Sequence, residues 1–203
     1  MRYAAAPDSL GLDAYLALPT GERAQRRHHA DRYATAAATD APLDLRIRHL
    51  NSAVGLAPDH APAWLLLLEH ARWFGDDRLA EERLAGLRGA LAATPDARGR
   101  ELRRRAALTM AWICYDRGDW LDGLAWADSA EARGGATLLV RGLLLAGSGQ
   151  FLYAEDVARQ LTGPRAASSA ARWIHGMAQW FRGNPELAQS IFELRHDPEL
   201  WVE

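Results

Sequence analysis

The residues able to do acid–base, metal or nucleophilic chemistry are scattered through this 203-residue chain instead of being gathered into a motif. His28-His29 is the one adjacent histidine pair. Consecutive helix positions point about 100° apart, so the two rings cannot easily ligate one ion within a turn. His49, His60, His70, His175 and His196 stand apart, and no HExxH sequence occurs. The single Cys114 rules out an internal disulfide framework and a cysteine zinc site. Its apolar neighbours make it a buried, unreactive thiol. Serine, histidine and aspartate are present, but without a GxSxG nucleophile turn they define no triad. Gly134-Gly135 and Gly147-Ser148-Gly149 lack the lysine and the preceding strand of a phosphate-binding loop. The expectation is a non-catalytic protein with no cofactor and no metal.

Charge is nearly balanced, at a formal −2, with arginine as the only strongly basic residue. That balance argues against a globally basic nucleic-acid or membrane-surface protein. One run stands out: Arg98, Arg100, Arg103, Arg104 and Arg105 crowd a helix start, where cations oppose the helix dipole. The i,i+4 pairs Asp96–Arg100 and Glu101–Arg105 offset part of this. The run reads as a solvated face; the alternative is a dock for an acidic peptide, phosphate or nucleic-acid backbone, with Arg100, Arg103 and Arg104 as its anion ligands. Asp76-Asp77 and Glu81-Glu82 fit a helix cap and first turn.

The elements that must carry these residues are helices. Apolar residues make up 49% of the chain, enough for a continuous core, and alternating β-branched runs are absent. A short helix over Ser9–Leu18 precedes the Pro19-Thr20-Gly21 break, and Thr20 is placed to cap a helix over Glu22–Ala38. Proline then opens a third helix, Pro42–Leu56, with Leu43, Ile47, Leu50 and Val54 on one face. Helices follow over Ala61–Phe74 and Arg78–Ala93, capped by Asp76 or Asp77, and the linker Ala93–Gly99 is expected to hold an insertion or extra turn. Ala107–Arg117 and Trp120–Arg133 flank Gly118-Asp119, where glycine ends one helix and aspartate caps the next. The apolar TLLVRGLLLAG within Ala136–Leu161 should be the most buried helix, with Gly142 and Ala154 at its hairpin crossing. Pro164 or Ser168-Ser169 opens the next, and Asn184-Pro185 the last, ending near Arg195.

The stretch Ala107–Gly135 shows the repeating unit: a small residue on each helix (Ala111, Gly123) beside Trp112, Tyr115 and Trp120, joined by a glycine turn. The layout recurs around Gly149, Gly183 and, less cleanly, Gly75, while Ala53–Asp59 has an alanine-containing helix stopped at proline and Trp64 follows early in the next unit. In these residues the chain resembles the tetratricopeptide repeat (TPR) family, helical hairpins of about 34 residues that stack into a superhelix. The resemblance implies an all-α, right-handed α-solenoid of about four to five TPR-like hairpins. Residues 42–195 would hold the repeats, 1–41 would be N-terminal helices packed on or capping them, and 196–203 an apolar C-terminal tail. In that family the first helix of each hairpin lines the concave surface. Carried over by the turn glycines, the partner-binding groove would comprise Leu65, Glu69, Arg72, Trp73 and Arg105, then Leu108, Trp112, Tyr115 and Asp116. Leu139 and Leu143 follow, and then Trp173, Met177, Trp180 and Phe181.

The resemblance therefore implies a protein-interaction module that captures a helix or peptide of a partner. The alternatives are an accessory subunit held by its edges and ends, and a module using the arginine run to respond to an anion or nucleic acid. Pro7, Asp8 and Asp13 interrupt the N-terminus, so it is not expected to be a signal peptide. Leu138–Ala146 is far shorter than the roughly 20 residues of a spanning helix. A soluble, cytoplasmic chain is expected. Leu200, Trp201 and Val202 are expected to fold back on the last hairpin or to be covered by another protein or a second copy.

Overall fold

The computed structural model describes residues 10–39, 42–92, 97–130, 135–161 and 165–193. Among these residues the chain is all-helical, with no strand. The helices are α1 (Leu12–Leu16), α2 (Thr20–Ala37), α3 (Leu43–Leu56), α4 (Ala61–Phe74), α5 (Asp77–Ala92) and α6 (Ala97–Arg117). They continue with α7 (Trp120–Ser129), α8 (Gly135–Gly147), α9 (Phe151–Gln160), α10 (Arg165–Phe181) and α11 (Pro185–Glu193). None of them is long and apolar enough to cross a membrane. Pro95, Asp96, Pro164 and the tail with Leu200, Trp201 and Val202 lie outside the described residues, as do the expectations placed on them.

Three of the turns share one hydrogen-bonding scheme. Gly118, Gly149 and Gly183 have φ of 83°, 80° and 81°, the left-handed region that a side chain disfavours. The next residues, Asp119, Gln150 and Asn184, donate their backbone N–H to the carbonyls of Cys114, Leu145 and Gln179 at 2.9, 2.9 and 3.0 Å. That is the Schellman closure of a helix end. Gly75, at φ 59°, ends α4 in the same region, with its N–H on the Arg72 carbonyl at 3.3 Å. A small residue follows at a constant offset from each glycine, and Ala80, Gly123, Ala154 and Ala188 are all buried. The backbone scheme replaces one expected cap: Asp119 makes no side-chain cap bond. Asp76 does cap α5, its Oδ1 accepting from Leu79 N–H at 3.0 Å. Thr20 is likewise no cap, because α2 begins at Thr20 itself and Pro19 precedes it. The arginine run expected at a helix start and the helix expected over Ala107–Arg117 form one helix from Ala97: Leu102 and Ala106 are buried, and Arg104 pairs with Glu101 one turn earlier.

Packing divides the chain into two units, and the division falls inside α6 between Ala106 and Ala107. In the first unit α2, α3, α4 and α5 pack in sequence. Tyr15, Leu50 and Leu67 lie in its core. Trp64 fits where α5 offers only Gly86, since a Cβ there would sit 2.7 Å from the indole. The Trp64 Nε1–H donates to the Pro58 carbonyl at 2.8 Å. In the second unit α8 packs against α7, α9 and α10, and α10 also against α9 and α11. Val140, Leu143 and Leu144 are almost wholly buried, as the apolar run of α8 predicts. Gly142, expected at the hairpin crossing with Ala154, faces Ile174 of α10 instead. The close approach there is between consecutive hairpins.

Candidate interaction surface

On α10, Trp173, Met177, Trp180 and Phe181 follow an i, i+4, i+7, i+8 spacing and therefore share one face. At 1.5 Å per residue, Trp173 and Trp180 stand about 10 Å apart along the axis. Trp173 is 42% exposed, Trp180 55% and Phe181 38%, with Met177 half-buried between them. The side of α10 next to this face holds the helix down, since Ile174 and Ala178 are fully buried. Trp173 rests on Phe192 of α11 at 5.0 Å between ring centroids, and Phe192 in turn occupies the space left by Gly176.

A chain of rings in edge-on contact continues this ridge. Phe181 lies 5.7 Å from Trp120, Trp120 lies 5.6 Å from Tyr115, and Tyr115 lies 5.8 Å from Trp112. Such offset and edge contacts stabilise aromatic clusters beyond their buried area. Burial, with Asp116 adding to it, raises the Tyr115 pKa, so the phenol stays protonated. Trp120 is missing from the groove expected from the sequence, and its signal was available: it is the first residue of α7 after the glycine turn. Gly147 leaves room for its indole, 2.7 Å from where a Cβ would be. Phe151, at the matching place in α9, lies under the Arg182 guanidinium at 4.9 Å.

The other expected groove residues divide by burial. Leu65 and Leu143 are corrected: each is 1% exposed, packed between helices, and cannot meet a ligand. Leu108 and Leu139 are half-buried against the cores, while Asp116 is exposed. In the first unit Glu69 accepts from Arg105 at 2.6 Å, Arg72 is half-buried, and Trp73 is 78% exposed beside Phe74.

The arginine run is largely engaged by the protein. Arg104 makes a two-point contact with Glu101 at 2.6 and 2.8 Å, and Arg103 donates to the Leu91 carbonyl at 3.4 Å. Glu101 is hydrogen-bonded by Arg104, and the charge of Arg105, expected as its i,i+4 partner, also acts on it while Arg105 bonds Glu69. Arg100 is exposed.

A histidine–carboxylate pair does exist, but its geometry is structural. His60 precedes α4, its Nδ1 accepts from Ala63 N–H at 3.1 Å, and its Nε2 lies 3.0 Å from Asp31 Oδ1 on α2. Both ring nitrogens are used and the residue is 4% exposed, so no lone pair is presented to a substrate. The surface groups with the most to offer a ligand are rings and a thioether, which bind by area and shape. Comparison with protein-family models, curated proteins and solved structures finds no match for this chain.

Proposed function

We propose that the protein is a right-handed solenoid of TPR-like hairpins and a non-catalytic interaction module, capturing an amphipathic helix or peptide of a partner on the α10 ridge. The observation that carries this reading is Trp180, more than half exposed and flanked by Trp173, Met177 and Phe181 on a helix anchored in the core by buried Ile174 and Ala178. The repeated glycine turns support the TPR-like architecture. Large aromatic anchors at a rigid centre supply most of the affinity in such contacts. Trp180→Ala should weaken a partner identified by affinity capture by about 2 kcal/mol or more, with unchanged far-UV helicity. A folded variant with the parent's affinity, measured by calorimetry, would remove the ridge from the binding site.

A second reading, an accessory subunit held through its edges, is favoured by Leu121 and Leu152. They are 70% and 71% exposed at matching places in α7 and α9, and neither belongs to the α10 ridge. In that case Leu121→Asp with Leu152→Asp would break the assembly and Trp180→Ala would not.

A further inference from the structure

The face of α10 that carries the ridge has a covered counterpart in the second unit. Counted back from the turn glycines Gly149 and Gly183, Leu139, Leu143 and Ala146 of α8 match Trp173, Met177 and Trp180 of α10. Leu143 and Ala146 are 1% and 0% exposed and Leu139 is half-buried, in one core cluster with Ile174 and Ala178 of α10. The first helix of the next hairpin thus shares in covering that face of α8. Among the described residues no helix follows α11, and the matching face of α10 stays open, with indoles where α8 has leucine and alanine.

The ridge is high at its ends and low between them. Trp173 and Trp180 are exposed and about 10 Å apart along the axis, while Met177 between them is half-buried, which leaves a notch able to hold one flat ring. Trp173 is held against Phe192 at 5.0 Å, whereas Trp180 is the more exposed indole. One helix therefore offers both a notch and a ring to fill one, and no charge stands among Trp173, Met177, Trp180 and Phe181. A surface that carries both halves of a fit is what a two-fold contact between identical chains requires. We infer that the helix bound by the ridge is α10 of a second copy of this chain, the two related by a two-fold axis and running antiparallel, with Trp180 of each copy seated over Met177 in the notch of the other. The inference rests on the reading of the ridge as a helix-binding surface and names the helix. In this arrangement the two Trp180 residues lie one helical turn apart along the axis, about 5 Å, and the two Trp173 residues about 16 Å apart. Each Trp180 leaves water for an apolar seat, and ring contacts add to the area buried.

The test is sedimentation equilibrium of the full chain from about 1 to about 100 μM, which should show monomer and dimer in exchange. Trp180→Ala should weaken dimerisation at least about tenfold with unchanged far-UV helicity. Trp180→Glu and Trp180→Lys each set like charges across the axis, so their equimolar mixture should associate about tenfold more tightly than either alone. The same two substitutions at Trp173 should give no such gain, because those positions stand too far apart; a gain there would mean parallel helices and would overturn the inference. The mass of the parent needs no variant to fold, and a parent monomeric throughout overturns the inference. If Trp180→Ala then still weakens a captured partner, the ridge reading stands without it; if not, both fall. A parent that dimerises only after Leu200→Ser and Trp201→Ser gives the ridge to the chain's own C-terminal residues, which also overturns the inference. A dimer indifferent to Trp180→Ala does the same, as does a mixture no more associated than its components.

Discussion

At the scale of single residues, the glycines without a turn are the sharpest test of the packing. A Cβ built on Gly142 would lie 2.8 Å from Ile174 Cγ1 and 3.1 Å from its Cγ2, closer than carbon atoms normally come. Ile174 is fully buried, so its side chain has nowhere to go. Gly142→Leu should therefore overpack the α8–α10 contact and cost about 1–3 kcal/mol, read as a lowered midpoint in denaturant. An unchanged midpoint would mean that α10 does not cross α8 there. That a small residue was needed at position 142 is legible in the sequence. Which side chain fills the space is not, because a glycine marks a close approach and says nothing of what approaches. The same limit explains Leu65 and Leu143: alignment to a turn places them near the groove, but a small rotation of the helix turns them inward. For Cys114 the local apolar pattern was sufficient. Burial pushes its thiol pKa up, as an inert cysteine requires.

At the scale of elements, the turns rest on backbone geometry more than on side-chain caps. Gly149 and Gly183 have open space where a Cβ would go, yet both have positive φ. Alanine at either position would meet no clash, so its whole cost is the left-handed backbone, about 1–2 kcal/mol. Gly149→Asn should cost less than Gly149→Ala, since asparagine tolerates this region better. Thermal melts of the alanine and asparagine variants check the order; alanine as stable as glycine would mean that the turn relaxes to another form. These turns were readable because glycine punctuation at a near-constant interval is a local signal. The start of α6 was legible only in part: the arginine run reads as a helix start, but the hairpin pattern places its helix only from Ala107. Burial of Leu102 and the contacts of Arg104 and Arg105 with Glu101 and Glu69 hold it helical, and Glu69 lies far away in sequence.

At the scale of the molecule, the two packing units differ in how acid should affect them. His60 and His70 are both in the first unit, and burial holds each below its ordinary value of 6.5. For His60 the charge of Arg27 adds to this while Asp31 opposes it; for His70, Arg46 adds and Glu69 opposes. The unfolded imidazoles take up protons near their ordinary value, and the folded ones do not. The unfolded state then binds more protons, so stability rises with pH across the window below 6.5 and is lost as pH falls through it. His60 would also lose its Ala63 bond on protonation at Nδ1, loosening the start of α4 where α2 meets it. Among the described residues of the second unit the resolved shifts are those of Cys114 and Tyr115, both upward from values already well above this window. Hydrogen exchange followed by mass spectrometry at about pH 7.5 and about pH 5.5, corrected for intrinsic rates, should show protection falling in α2–α4 and persisting in α8–α10. His60→Asn, whose side-chain oxygen can still cap α4 but carries no titrating group, should flatten part of that dependence. Equal loss of protection in both units would mean that they unfold together. No loss in either would mean that the two imidazoles are not buried in their neutral form.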